Sequence, residues 1–249
     1  MQSSAVMKAT TLAVILVAGI GSRLRPLTDD RPKALVPVGP ETILGRALRL
    51  LAEHGVESVV LATGYREDAV KSALEGAPVS AVYCLNERYD STQNAVSLAL
   101  CRDAIGGRAF FKLDGDVIFR KSVLDRLEAS TADIAVAVDR QRPLDAEAMK
   151  VALADDERIA RFGKGIAISE SAGETIGIER IAEAAVTPLF DALVAAMNAG
   201  RTDLYYEDVY GELLGTLSAE AVDVGDLPWT EVDDAADLER AKAMVSAER

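Results

Sequence analysis

Short apolar runs alternate with amphipathic stretches through the first half of the chain. Residues 12–18 are continuously apolar, the pattern of a central parallel strand covered on both faces. Ile43, Leu44, Ala47, Leu48 and Leu51 recur at helical spacing, and Gly55 stops that helix. Residues 59–62 predict a second strand ending at Thr63-Gly64, Ala69, Val70, Ala73 and Leu74 a second helix, and residues 79–84 a third strand. After a polar loop, residues 95–100 open another helix, and residues 110–113 form a strand that runs straight into Asp114-Gly115-Asp116. This β-α-β-α rhythm predicts an α/β fold with a doubly wound, mostly parallel, Rossmann-like sheet. Ligands of such sheets bind at the carboxyl ends of the strands.

The second half is less regular. Residues 134–138, 150–153, 166–168 and 175–181 predict strands, the middle two joined by the polar turn Asp155-Asp156-Glu157-Arg158. Helices are expected at about 188–198 and 206–214, a strand at 222–224 and a closing helix at 235–245. With no internal repeat or low-complexity linker, one unit is expected over residues 1–249. Within it lie a nucleotide-binding core (about 8–140), a small substrate-binding lobe (about 141–230), and a metal-site loop with its closing helix (231–249).

Charge narrows the function. The chain has 249 residues with 27 Lys and Arg against 40 Asp and Glu, a net charge of −13. That excess disfavours nucleic acid and anionic membrane surfaces as partners, since both are bound through basic side chains. Two cysteines, Cys84 and Cys101, are too few for a disulfide framework or zinc site. The one histidine, His54, closes a predicted helix, where its charge suits the macrodipole. The apolar run after Lys8 is too short to span a membrane and leads into a glycine loop, not a cleavage site. A cytoplasmic protein is expected, with the residues before Met7 a dispensable extension.

Between Val14 and Val38 stand Gly19-Ile20-Gly21-Ser22-Arg23-Leu24-Arg25-Pro26-Leu27-Thr28 and Pro32-Lys33-Ala34-Leu35-Val36-Pro37-Val38. A buried strand here delivers a glycine loop whose backbone amides can approach a triphosphate closely. Arg23 can fork onto phosphate oxygens, and Lys33 adds a second, point-like positive charge. A dinucleotide-binding loop fits worse: Leu24 stands at the third glycine position, and the second strand ends in Thr63 instead of a ribose-binding carboxylate. A Walker A loop needs a Gly-Lys-Ser/Thr that this stretch lacks.

The Gly-x-Gly-x-Arg-Leu-x-Pro-Leu-Thr and Pro-Lys-x-Leu-x-Pro-Val signature resembles that of the sugar-phosphate nucleotidyltransferase superfamily. The resemblance implies a GT-A-like nucleotidyltransferase fold. It implies that Ala18, Gly19, Gly21, Ser22 and Arg23 hold a triphosphate and that Lys33, with Arg23, is catalytic. It also implies Mg²⁺ on two acidic loops: Asp116 in Asp114-Gly115-Asp116 and Asp233 in Glu231-Val232-Asp233-Asp234, with Asp114 and Asp234 as second choices. The alternative for Asp234 is the N-cap of the last helix. The acceptor would be a small phosphorylated alcohol, anionic at neutral pH, attacking the α-phosphorus without a general base.

Later segments resemble the branch that activates phosphocholine, inositol phosphate or aminoethylphosphonate with CTP. They are Asn86 through Leu98, with Tyr89, Thr92 and Asn94; Met149-Lys150-Val151 with Arg161-Phe162-Gly163-Lys164 and Glu174-Thr175-Ile176-Gly177; and Trp229 through Leu238. By this resemblance Thr92 and Asn94 lie near the base, and Lys164, Glu174, Tyr206, Trp229 and Glu231 near the acceptor. Tyr205, Tyr206 and Trp229, with nearby Glu207, Asp208 and Glu231, suggest an aromatic-acidic pocket that would suit a quaternary ammonium group. The rivals are a hexose-1-phosphate uridylyl-, guanylyl- or thymidylyltransferase, and a non-catalytic nucleotide-sensing subunit.

Overall fold

Alternate residues of the first strand face two different cores, Ala13 and Ile15 on one side of the sheet and Leu12 and Val14 on the other. The computed structural model describes residues 9–248, so the segment before Met7 lies outside the described residues. In chain order the first half comprises β1 (Leu12–Leu16), α1 (Ile43–His54), β2 (Ser58–Thr63), α2 (Glu67–Ala73), β3 (Ser80–Leu85), α3 (Asn94–Ala99), α4 (Arg102–Ile105), β4 (Phe110–Asp114), β5 (Val117–Ile118) and α5 (Ser122–Ala129). The second half adds β6 (Ile134–Asp139), β7 (Lys150–Leu153), β8 (Ile159–Gly163), β9 (Gly173–Ile181), α6 (Glu183–Asn198), α7 (Tyr206–Leu213), β10 (Ala219–Asp223), β11 (Thr230–Glu231) and α8 (Ala235–Ser246).

The main sheet runs β10-β6-β9-β4-β1-β2-β3. Its pairings are parallel except around β9, which lies antiparallel to both β4 and β6. Helices α1, α2 and α5 pack on one face through residues such as Leu48, Val70 and Leu124, while α3, α6 and α7 pack on the other through Leu98, Leu189 and Val209. This is the expected mixed, mostly parallel α/β layering, and strands of both chain halves share it. The β7–β8 hairpin leaves the main path and pairs with the start of β9, through Lys150 opposite Glu174 and Val151 opposite Gly173, and its turn touches β10 by a bridge between Arg158 and Glu220. No helix among the described residues is long and apolar enough to cross a membrane.

Three local expectations differ from the structure. The strand expected at 166–168 is β8, because the turn after β7 closes within a few residues: the Ala154 and Arg158 backbones bond at 2.8 Å, and Glu157 adopts a φ of +63°. Ile168 instead opens a short 3-10 helix, 56% exposed. Helix α6 begins at Glu183, ahead of the expected start at Pro188, which it accommodates early in its length. Helix α5 and the two-residue strands β5 and β11 carry too few residues of one period to show in the pattern.

A charged cluster lies inside the second core, below the carboxyl end of β4. Lys112 is fully buried, 3.1 Å from Asp114 Oδ1, 2.9 Å from Glu179 Oε2 and 3.4 Å above the centre of the Tyr206 ring. Lys112 meets Glu179 as an ion pair through Oε2, and Glu179 Oε1 is buried without a partner. Burial raises the Glu179 carboxyl to about 7 and the Glu207 carboxyl to about 8, although Lys112 opposes both shifts. The folded protein therefore holds protons that the unfolded chain releases above its ordinary carboxyl range. Stability contributed by these protons is present at low pH and is lost as pH climbs through the raised values. Thermal unfolding in chelator should show Tm falling by several degrees between about pH 5 and pH 8, and Glu179→Gln should flatten that slope; an equal slope in the variant would place the protons elsewhere.

Candidate active site

Two acidic loops meet because a short antiparallel ribbon ties them. Glu231 of β11 pairs with Val117 of β5, and the Val232 amide donates to the Asp116 carbonyl at 3.0 Å. Residues two apart on a strand face the same side, so Glu231 and Asp233 both turn toward Asp116. One oxygen from each of these three carboxylates lies within 4.8 Å of the others. The Lys33 ammonium sits between two of them, 2.7 Å from Asp116 Oδ2 and 2.6 Å from Asp233 Oδ1. Arg23 approaches Asp233 Oδ2 at 3.2 Å from the solvent side. Burial alone would favour a neutral Lys33 amine, but Asp116 and Asp233 outweigh it and raise its pKa, so the ammonium persists. Glu231 still reaches solvent, but desolvation within the cluster and then Asp116 and Asp233 push its carboxyl up to about 8. Asp116 Oδ1 is buried without a hydrogen-bond partner.

The glycine loop closes over Lys33. Gly21 has a φ of +70°, and a Cβ placed there would lie 2.6 Å from Lys33 Cβ, so only glycine lets the lysine pass beneath. The Thr28 hydroxyl donates to the Gly21 carbonyl at 2.9 Å and fixes the turn. Nothing approaches the corresponding position at Gly19, which leaves that side of the loop open. Helix α8 clamps this region, since Leu238, Ala241 and Val245 pack on Leu24, Val36, Val38 and Val232. A cavity of about 260 Å³ follows, lined by Gly19, Gly21, Ser22, Arg23, Lys33, Asp116 and Asp233.

A larger cavity of about 680 Å³ shares Gly19, Arg23, Asp116 and Asp233 with the first. Ala18, Thr92 and Asn94 line it, as do Lys164, Glu174, Trp229 and Glu231. Four expected residues have other occupations. Tyr206 is fully buried, and its hydroxyl donates to Asp114 Oδ2 at 2.8 Å, so Tyr205 faces the cavity in its place. Asp114 is thereby committed to Tyr206 and Lys112. Asp234 caps α8, accepting from the Ala236 and Asp237 amides at 2.8 and 3.0 Å. Glu231, expected near the acceptor, stands with the carboxylates of the expected metal site. His54 is spent on Asp125, 3.0 Å away, at the far end of α1.

The aromatic faces are not bare. Lys164 lies 5.1 Å from the Tyr205 ring centre, and the Arg142 guanidinium 4.1 Å from that of Trp229, whose indole N–H donates to Asp139 at 2.7 Å. Sequence reasoning missed Arg142, in an irregular polar loop without periodicity, and assigned Lys112 no role, within an apolar strand. The place of Glu231 was legible in the i, i+2 spacing with Asp233. Glu207, 4% exposed, also lines the large cavity, and its Oε2 has no partner. Glu174 Oε1 is likewise unpartnered, its carboxyl raised by burial.

A mostly parallel α/β sheet with a glycine loop and clustered carboxylates at its strand ends is a nucleotide-binding arrangement, and comparison with known proteins agrees. Residues 13–165 match the MobA-like NTP transferase domain, and the chain belongs to that family. It is 34% identical over 250 residues to the CMP-5'-(3-aminopropyl)phosphonate synthase of Streptomyces rubellomurinus, covering 95% of this chain and 39% of that protein. It is 31% identical over 120 residues to the choline-phosphate cytidylyltransferase of Streptococcus pneumoniae, covering 48% of this chain and 51% of that one. The chain thus spans about two fifths and about half the length of these two relatives. The inositol-1-phosphate CTP transferase from T. maritima superposes with a TM-score of 0.80 at 26% identity, over 96% of both chains.

Gly21→Ala should displace Lys33 and strain a left-handed turn, at a cost of about 1–3 kcal/mol in stability. Turnover should fall far more than the modest drop in Tm would suggest; an unimpaired variant would mean that the loop and lysine need not pack as they do.

Proposed function

We propose that this nucleotidyltransferase moves CMP from CTP to a small phosphorus-bearing acceptor and releases pyrophosphate, with Mg²⁺ as its metal. The observation that carries the reading is Lys33 wedged between carboxylates from two distant loops, beside an open glycine loop. The CTP preference rests on the relatives, above all the cytidylyl-type synthase whose likeness extends over 95% of this chain. The reaction draws on nucleotide in the cytoplasm.

The donor set fits Mg²⁺. That ion takes carboxylate and phosphate oxygens with waters, and Asp116, Asp233 and Glu231 offer clustered oxygens, while Asp116 Oδ1 has no hydrogen-bond partner of its own. When bound there it supplies positive charge beside the reacting phosphate oxygens. The chain's own residues supply the rest. The amides around Gly19, Gly21 and Ser22 face the triphosphate, and Arg23 and Lys33 counter its charge. An acceptor oxyanion forms a new bond to the α-phosphorus while the bond to the bridging oxygen breaks, and pyrophosphate leaves with that electron pair. The nucleophile is already anionic, so positioning and electrostatics suffice.

The acceptor end suits a zwitterion with a primary amine, such as aminoethylphosphonate, better than phosphocholine. The rings expected to cradle a quaternary ammonium carry the chain's own cations, Lys164 on Tyr205, Lys112 on Tyr206 and Arg142 on Trp229. Arg142 and Lys164 can meet a phosphonate, while the unpartnered oxygens of Glu174 and Glu207 can accept N–H donors.

Pyrophosphate release tests this reading, with CTP, UTP, GTP, dTTP and ATP crossed against aminoethylphosphonate, phosphocholine, inositol-1-phosphate and glucose-1-phosphate. Turnover should require Mg²⁺ and be greatest with CTP and aminoethylphosphonate, and Lys33→Ala should lower it by orders of magnitude without unfolding the protein. Turnover confined to a hexose phosphate and another nucleotide would overturn the proposal.

A further inference from the structure

Arg142, Lys164 and Trp229 line the large cavity, as do the glycine loop and the carboxylates. Ala18, Tyr89, Thr92 and Ser97 line it too, and the nucleobase is assigned to these residues because the other groups are taken by acceptor and phosphates in the proposed reaction. Ser97, on the second turn of α3, is 5% exposed there.

The polarity of the Ser97 hydroxyl is set by its neighbours. A backbone amide can only donate, and that of Arg88 donates to Asn86 Oδ1 at 3.0 Å. This fixes the Asn86 side-chain amide, which is 2% exposed. Its Nδ2 then donates to Thr92 Oγ1 at 2.9 Å and to Ser97 Oγ at 3.0 Å. Thr92 passes its own proton to the Arg88 carbonyl at 2.9 Å. Ser97 accepts from Asn86 and, unlike Thr92, finds no acceptor for its own proton among the described residues, which leaves the cavity it lines as the side open to that proton. A largely buried donor held in this sense discriminates strongly against a ligand that also presents a donor.

We infer that Ser97 reads the nucleobase as a hydrogen-bond donor and that Asn86 is the positioning residue that forces this sense. The inference rests on the cytidylyl reading and gives it a physical cause. Cytosine presents a bare ring nitrogen, N3, which accepts from Ser97; uracil presents N3–H at the same place, and the two donors oppose each other. Arg88, through its main chain, is the origin of the polarity.

The test compares kcat/KM for CTP and UTP in the wild type, Ser97→Ala and Asn86→Asp, with the acceptor held saturating. Ser97→Ala should lower the CTP/UTP ratio at least tenfold and leave the acceptor KM in place. In Asn86→Asp a carboxylate oxygen replaces Nδ2 and accepts the Ser97 proton, turning a lone pair toward the base. CTP turnover should then fall while UTP turnover rises, a reversal that a merely loosened loop would not produce. Equal losses with both nucleotides in Ser97→Ala overturn the inference, and if Asn86→Asp does not fold, Ser97→Ala still decides. A wild type that prefers UTP sinks the cytidylyl reading itself. A wild type that prefers CTP, with a ratio unmoved in Ser97→Ala, keeps that reading and sinks only the role of Ser97.

Discussion

Asp116 lies near the middle of the chain and Asp233 in its last twenty residues, yet their carboxylates stand close enough to repel each other strongly. At the observed separation of at most 4.8 Å, two like charges at an effective dielectric near 20 cost about 3–4 kcal/mol. The β5–β11 ribbon imposes the approach, and Lys33 makes it tolerable, because each of its contacts is closer than the carboxylates need be to each other. Gly21 must be glycine so that Lys33 can reach this point, and α8 must pack on Leu24 and Val36 so that the loop stays closed. The same concentration of negative charge raises the Glu231 carboxyl. A divalent cation would relieve all three carboxylates together.

The buried cluster under β4 extends this logic inward. Lys112 and Tyr206 occupy the oxygens of Asp114, which separates its chemistry from that of Asp116 two residues on. A strand places both side chains on the same face, so spacing alone could not tell them apart. What distinguishes them is the partner that tertiary packing supplies to each, a cation and a phenol for one and the Lys33 ammonium for the other.

Much of the fold was legible because its central strands are long and uniformly apolar. Residues 12–18 could hardly be anything but a buried strand, and Gly55 ended the first helix as expected. The glycine loop was legible for a different reason: Gly19, Gly21, Arg23 and Lys33 carry out local chemistry at fixed spacing. The second half was harder to read. Strand β8 carries exposed Arg161 amid short apolar stretches, so 166–168 offered a false partner for β7. At the acceptor end, Tyr206 and Tyr205 are adjacent and chemically identical, and helix phase decides which one is buried. Arg142 reaches Trp229 from a loop whose path depends on contacts across the fold. Asn86 and Ser97 look unremarkable in sequence, and only their hydrogen-bond directions make them readable.

In the proposed reaction Asp116 and Asp233 jointly hold a divalent cation beside the nucleotide. Titration with Mn²⁺, an oxygen-seeking substitute followed by the loss of its free-ion electron paramagnetic resonance signal, addresses this directly. In the presence of CTP the wild type should show one tight site, and Asp233→Asn should lose it while keeping its melting temperature. An unchanged site in Asp233→Asn would place the metal elsewhere and leave the meeting of the two acidic loops without its proposed purpose.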